Sequence, residues 1–99
     1  MTMPKLINTP DDNVQATRCS TWAGPTGKMG YDYKWQKNQQ HGTLSLTTAV
    51  RTTNRNNELV TYALFEIEHD KKEHPPQSLI EQLKLAWLTH AKQSNFVIV

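Results

Sequence analysis

Apolar and polar side chains alternate with a period of two through the middle of this 99-residue chain. In residues 30–36, GYDYKWQ, aromatic side chains occupy every second position, and residues 43–52 alternate in the same way. Successive side chains of a β-strand point to opposite faces of its sheet, so this spacing predicts two strands. The side chains that alternation assigns to one face of the second strand are Leu44, Leu46, Thr48 and Val50.

Short polar turns separate these stretches from each other and from a third strand at residues 58–69. The turns are KNQQHG at residues 37–42 and TNRNN at residues 53–57, where Asn tolerates left-handed backbone that other side chains resist. Short connections make neighbouring strands antiparallel, so the three strands predict a meander. The residues in phase on the third strand are Leu59, Ala63, Phe65 and Ile67.

The hydrophobic period changes from two to 3.6 after Pro75 and Pro76, which block continuation of a strand. Ser78 is the expected N-cap, with Glu81 three residues later as its capping-box partner, so a helix is predicted over residues 79–92. One face of this helix is expected to lie on the sheet. That face carries Leu79, Ile80, Leu83, Ala86, Trp87 and Ala91, with His90 beside them.

The two ends of the chain complete the predicted fold. Residues 1–13 carry no apolar periodicity and are interpreted as an extended arm, and residues 14–99 as a single domain. Residues 14–22 can form an edge strand before the glycine-rich loop at residues 24–30, and FVIV at residues 96–99 predicts a short buried strand of undetermined orientation. The fold class is therefore α+β, a small antiparallel sheet packed on one face by a single C-terminal helix. Whether the arm covers the second sheet face stays open.

Tyr31, Tyr33 and Trp35 allow two interpretations. Because they are in phase on a strand that one helix can cover, the first is that they form the core together with Trp87 and Leu83. The second is that they face outward and stack nucleic-acid bases. We expect the core.

Charge is unevenly distributed along a chain whose net charge is only +2. Residues 1–57 contain seven basic and three acidic side chains, and residues 58–99 contain four basic and six acidic. A basic half with aromatic residues makes nucleic-acid binding the alternative function, although no RNP-like or cold-shock motif is present. The basic residues that this alternative would use are Lys28, Lys34, Lys37, Arg51 and Arg55.

Catalytic and metal-binding patterns are weak. The segment EIEHDKKEH carries oxygen and imidazole groups, but strand alternation sends Glu66 and Glu68 to one face and His69 to the other. Cys19 has no local nucleophile signature, and no phosphate-binding loop or nucleophile elbow is present. We therefore expect no enzyme, cofactor, metal site or small-molecule substrate. The metal-ligand segment also contains Asp70, Glu73 and His74. The histidines considered as a base for Cys19 are His41, His69, His74 and His90.

A single cysteine excludes an internal disulfide and favours a reducing compartment. No stretch approaches the roughly twenty apolar residues of a membrane span, and the first residues lack the apolar run of a signal peptide. The expectation is a cytoplasmic protein without a membrane partner.

Apolar residues that the predicted fold does not need suggest a function. Leu85 and Leu88 project from the helix away from its apolar face, and Val60, Tyr62 and Leu64 lie opposite to Phe65 and Ile67 on the third strand. A small domain with such surfaces and no catalytic motif is typical of a protein that docks. The sequence thus predicts an adaptor, inhibitor or regulator of a larger protein, or a protein that self-associates as a homodimer. A protein of this kind would suit a bacterial or phage-borne regulator, although composition does not establish that origin.

Overall fold

A computed structural model describes residues 2–9 and 12–98, and within them the chain forms five strands followed by one helix. The strands form one antiparallel sheet in the order β1-β2-β3-β4-β5, so every pair of neighbours is also consecutive in sequence. The predicted α+β fold class is confirmed. The elements are β1 Leu6–Thr9, β2 Val14–Ala23, β3 Lys28–Lys37, β4 Gln40–Thr53, β5 Leu59–His69 and α1 Gln77–Gln93.

The core lies between one face of the curled sheet and α1. Leu79 and Leu83 of the helix are fully buried against side chains from the first four strands, and Trp87 packs beside them on Phe65. The predicted apolar face of the helix is therefore the one that meets the sheet. The buried core cluster comprises Met3, Ile7, Val14, Ala16, Tyr33, Trp35, Leu44, Leu46, Leu79 and Leu83.

The aromatic residues of β3 belong to this core, as the first interpretation expects. Tyr33 is fully buried, Trp35 is 4% exposed and Tyr31 is half-buried against the same cluster. The Tyr33 hydroxyl donates a 2.6 Å hydrogen bond to the carbonyl of Pro4, and burial raises the pKa of Tyr33 to about 12. The phenol therefore ties the start of the chain to the centre of the sheet.

The N-terminal segment contributes the first strand of the sheet. β1 pairs with β2, and Met3 and Ile7 are buried in the core cluster. The Arg18 guanidinium donates to the carbonyl of Met3 and lies over the ring of Tyr31. The segment interpreted as an arm thus includes an edge strand, which places β2 inside the sheet rather than at its edge. Met1, Pro10 and Asp11 of that segment lie outside the described residues.

A β-bulge in β4 makes the predicted assignment of its side chains to two faces wrong beyond Leu46. Leu44 and Leu46 are buried as expected, but the register with both neighbouring strands shifts between Thr47 and Ala49. The extra residue changes the alternation, so that Ala49 is buried while Val50 is only half-buried. Thr48, at the bulge, is buried and its hydroxyl donates to the carbonyl of Met29.

The β4–β5 hairpin turns where the Asn-rich segment predicts. Asn57 adopts a φ of 63°, and the side-chain oxygen of Asn54 accepts hydrogen bonds from the backbone N–H groups of Asn56 and Glu58. The tip of this hairpin lies beyond the buried core. Leu59, in phase with inward-facing residues, is therefore 66% exposed, contrary to its predicted position.

The helix begins one residue before Ser78, and its N-cap is Pro76. No side-chain hydrogen bond caps the helix, and the buried Ser78 hydroxyl has no hydrogen-bond partner within the described residues. The predicted capping box between Ser78 and Glu81 is therefore wrong. The preceding Pro76 already holds the extended conformation of an N-cap residue, with φ −58° and ψ 142°.

The C-terminal segment returns to the sheet beside β5. Val97 forms a parallel bridge with Tyr62, through hydrogen bonds of 2.8 Å from the Ala63 N–H and 2.9 Å to the Thr61 carbonyl. The orientation that the sequence leaves open is thus parallel, although the contact is a bridge rather than a strand. It is also not buried, because Val97 and Ile98 are 43% and 46% exposed. Val99 lies outside the described residues.

Candidate functional site

The outer edge of the sheet at β5 carries a concentration of uncovered apolar side chains. Leu59, Val97 and Ile98 are exposed, and three further residues of β5 are half-buried. The bridge between Val97 and Tyr62 places the C-terminal segment and the strand side by side. We call this set the β5 surface. It consists of Leu59, Val60, Tyr62, Leu64, Val97 and Ile98.

The helix supports β5 from the inner side of the sheet. Trp87 and Phe65 lie with their ring centroids 5.4 Å apart, and the Trp87 indole N–H donates a 3.0 Å hydrogen bond to the carbonyl of Thr48. The ring contact holds the middle of β5, the hydrogen bond holds β4, and the outer edge of β5 is left to solvent and the C-terminal segment. The edge therefore belongs to a strand that packs on a helix, and its position is fixed more precisely than that of a loop.

The two helix leucines predicted for docking have different environments. Leu85 is 60% exposed on the solvent side of α1. Leu88 is half-buried and follows Trp87, whose ring packs on Phe65 of β5. Of the two predicted leucines, Leu85 is therefore the more exposed.

The basic residues of the nucleic-acid alternative do not form one group. Lys28 begins β3 and pairs with Glu66 at 3.1 Å, while Lys37 ends the same strand, about 30 Å away at 3.3 Å per residue. Arg51 is exposed near Lys28, with its Nε donating to the Thr61 hydroxyl at 3.4 Å. Lys34 is exposed on β3, and Arg55 is exposed in the hairpin turn. The basic residues are thus spread along the molecule.

Residues of the acidic and histidine-rich segment stabilise the connection between β5 and α1. The Glu73 carboxylate accepts a 2.9 Å hydrogen bond from the Thr43 N–H, and the Asp70 carboxylate accepts one from the Lys72 N–H. The rings of His69 and His74 lie 6.1 Å apart in an edge arrangement. Across residues 2–9 and 12–98, no three His, Cys, Asp or Glu side chains converge as metal ligands would.

Cys19 is exposed in a bulge of β2 and lines an open cleft of about 510 Å³ on the outer face of the sheet. His69 lines the same cleft, but its Nδ1 lies 2.8 Å from the Asp70 carbonyl, and the Cys19 thiol donates to the Thr17 carbonyl. Activation of a thiol requires a base within hydrogen-bonding distance. The described contacts pair neither group with the other.

His90 is a buried imidazole between two aromatic rings. Its ring centroid lies 5.9 Å from that of Tyr31 and 5.5 Å from that of Phe96, and Nδ1 has no hydrogen-bond partner among the described residues. Burial lowers the pKa of His90 below its ordinary value of 6.5, because the charged form loses its hydration. The folded protein therefore favours the neutral imidazole.

Acidification is expected to destabilise the fold through His90. Because its pKa is lower in the folded than in the unfolded chain, the unfolded chain binds the proton first as the pH falls below 6.5. The free energy of unfolding should decrease through this window by up to about 1.4 kcal/mol per pH unit. Urea unfolding at a series of pH values measures the slope, which His90→Gln should reduce and the exposed-site variant His41→Gln should retain. An unchanged slope in His90→Gln would show that His90 is not the source of the pH dependence.

No family model matches this chain, and no curated protein or solved structure is detectably similar to it. Within the described residues, no helix is both long and apolar enough to cross a membrane. The site must therefore be judged on its own geometry.

The most exposed members of the β5 surface are those that the sequence assigns to the interior. Leu59 has the phase of an inward residue, and Val97 and Ile98 belong to an apolar tetrapeptide typical of a buried strand. Phase identifies the face of a strand but not how far the covering helix extends along it. The sequence does identify Val60, Tyr62 and Leu64, because alternation places these apolar residues on the face of the third strand opposite to Phe65 and Ile67.

Proposed function

We propose that this chain is a small non-catalytic protein-binding domain that docks on another protein through the β5 surface and through Leu85 and Leu88 of α1. One observation carries the proposal. Among the described residues, the strongly exposed large apolar side chains concentrate on β5, α1 and the C-terminal segment. They are Leu59, Leu85, Val97 and Ile98, with Leu6 on β1 as the remaining one.

Single exposed leucines are ordinary on protein surfaces, whereas apolar side chains gathered on one region favour an interface. Here the bridge between Val97 and Tyr62 brings the C-terminal segment, with Val97 and Ile98, beside β5. Tyrosine at the centre of such a patch is a frequent contributor to binding energy. An adaptor, an inhibitor or another regulator would use a surface of this kind.

Nucleic-acid binding has less support than protein binding. The alternative relied on aromatic side chains that stack on bases, but Tyr33 and Trp35 are buried beneath α1. Lys28 is also paired with Glu66, and the other basic residues are dispersed. A phosphate-driven interaction would require these charges to act together on one surface.

Charge substitution at the surface tests the proposal. Leu59→Lys combined with Leu85→Lys should preserve folding, because both side chains are exposed, but should remove partner retention. Each apolar anchor of an interface contributes on the order of 2 kcal/mol, which corresponds to more than tenfold in affinity. Circular dichroism checks folding, and a pull-down from the cells that produce the protein compares retained partners.

Leu6→Lys is the matched control, since Leu6 is 51% exposed on β1 at the opposite edge of the sheet. It should retain every partner that the parent protein retains. Equal loss in the control and the double variant would refute a specific role of the β5 surface. A parent protein that is a dimer, and becomes monomeric only in the double variant, would identify the partner as a second copy.

A further inference from the structure

The outer edge of β5 is only partly paired within residues 2–9 and 12–98. Val97 uses the Thr61 carbonyl and the Ala63 N–H, and no described backbone group bonds the outer edge of residues 64–69. Residues 66–69 pair regularly with β4 on their inner side. Along residues 66–69, alternate N–H and C=O groups therefore point outward without a backbone partner among the described residues.

The chain itself demonstrates that this edge accepts an extended segment. The Val97 bridge supplies hydrogen bonds of 2.8 and 2.9 Å in the first half of β5. An added strand along residues 64–69 would pair with edge groups that this bridge leaves free. Such strand addition is a common mode of peptide recognition, in which backbone bonds provide affinity and side chains provide specificity.

Side chains along the unpaired stretch define what an added strand should carry. Phe65 and Ile67 are half-buried and pack on the core, so apolar residues of the incoming strand can extend that contact. Glu66 and Glu68 are exposed on the opposite face of the sheet. Glu66 already pairs with Lys28, whereas Glu68 makes no ion pair within the described residues. Residues opposite these carboxylates should be basic.

We propose that residues 64–69 of β5 bind an extended segment of a partner protein in which basic and apolar residues alternate, adding a sixth strand to the sheet. The proposal rests on the proposed function, that this part of the molecule docks on a protein. It goes further by specifying the backbone conformation and the charge of the partner segment.

A second copy of the chain fits this edge less well. If two β5 strands paired antiparallel across a two-fold axis, Glu66 and Glu68 of one copy would face those of the other on the same side of the sheet. Like charges directly opposite each other destabilise a strand pair. Charged residues of this kind are also how natural edge strands avoid unwanted association. The same carboxylates that repel a copy attract a basic strand.

Synthetic peptides of about eight residues test the proposal, because that length spans residues 64–69. One peptide alternates lysine and valine, a second alternates glutamate and valine, and a third is the lysine peptide N-methylated at every second residue, which removes its donors along one edge. Amide-resolved NMR and hydrogen exchange follow the protein. The lysine peptide should shift and protect outward-facing amides of residues 64–69, and the other two should bind at least about tenfold more weakly.

Glu68→Lys provides the matching change in the protein, and Glu58→Lys is its control because Glu58 is an exposed carboxylate before β5 begins. The first variant should reduce affinity for the lysine peptide about tenfold and increase affinity for the glutamate peptide. The second should change neither by more than about twofold. Both variants alter exposed side chains, so circular dichroism should match the parent protein.

Three results would overturn the proposal. The first is that the lysine peptide at millimolar concentration does not protect residues 64–69. The second is that the glutamate peptide binds equally well. The third is that protection appears when the protein concentration alone is raised, which would indicate a second copy. Failure of the peptide, with loss of partners in the Leu59→Lys and Leu85→Lys double variant, would refute only the strand addition. Peptide binding, with full partner retention in that double variant, would refute only the apolar docking surface.

Discussion

Leu83→Ala should remove on the order of 3 kcal/mol from the free energy of unfolding. Leu83 is fully buried in the core cluster, between the helix and side chains of the sheet. Truncation of a buried leucine loses its transfer free energy and leaves a cavity that the neighbours only partly fill. For a domain of this size the loss is a large fraction of the total stability. Urea unfolding monitored by tryptophan fluorescence measures the change.

Leu85→Ala is the control on the same helix. Leu85 is 60% exposed, so the same chemical change two positions away should alter stability by less than about 0.5 kcal/mol. The difference between the two variants isolates burial from helix propensity, since both replace leucine by alanine. Equal losses in the two variants would show that α1 is rotated relative to the sheet.

Gly30→Ala should destabilise the protein by a comparable amount, on the order of 3 kcal/mol. A Cβ at Gly30 would overlap the carbonyl oxygen of Leu46 on the neighbouring strand and approach a ring carbon of Trp22 to 2.7 Å. The clash with backbone cannot be relieved by a side-chain rotation, so β3 and β4 would have to separate. A fall in the urea midpoint with an unchanged far-UV spectrum is the expected measurement.

Gly24→Ala tests whether the effect is specific to that site. A Cβ at Gly24 would lie 3.6 Å from the carbonyl oxygen of Lys28 and 3.9 Å from the Trp22 ring, which is ordinary van der Waals contact. This variant should be within about 1 kcal/mol of the parent protein, or slightly more stable, because alanine restricts the unfolded chain. A Gly30→Ala protein as stable as Gly24→Ala would contradict the close approach of β3 and β4.

The parts of the fold that the sequence predicts are those where a long periodic pattern has one physical cause. Alternation in β3 places Tyr33 and Trp35 on the buried face, and the 3.6-residue period places Leu79 and Leu83 against them. Burial of one face is what produces each pattern. Fold class, the order of the three central strands and helix orientation therefore follow from the sequence.

The parts that the sequence does not predict depend on contacts between distant residues. β1 has four residues, too few for periodicity, and is held by pairing with β2 and by burial of Met3 and Ile7. The bulge at Thr48 is defined by the register with β3, and the register with β5 shifts at the same place, where Leu64 and Phe65 lie opposite Thr48. The helix start was misplaced because Ser78 has the side chain of an N-cap but lies inside the first turn.

The candidate site can be predicted in part, because some of its residues lie in segments with a clear period. Alternation and helix projection identify Val60, Tyr62, Leu64, Leu85 and Leu88 as residues beyond the needs of the core. They cannot indicate that the hairpin tip and the C-terminal segment also lie outside it, because the length of the covering helix relative to the sheet is a tertiary property. The docking role of all these residues remains a proposal for the experiments above.

The contact between α1 and the N-terminal segment has a consequence for how the protein folds during synthesis. Each strand pairs with the one made just before it, so hairpins can form successively as the chain leaves the ribosome. Leu79 and Leu83, however, are needed to cover Met3 and Ile7 from the beginning of the chain. Until α1 emerges, the nascent sheet presents its apolar face to solvent or to chaperones, and cooperative stability is reached only when this helix arrives.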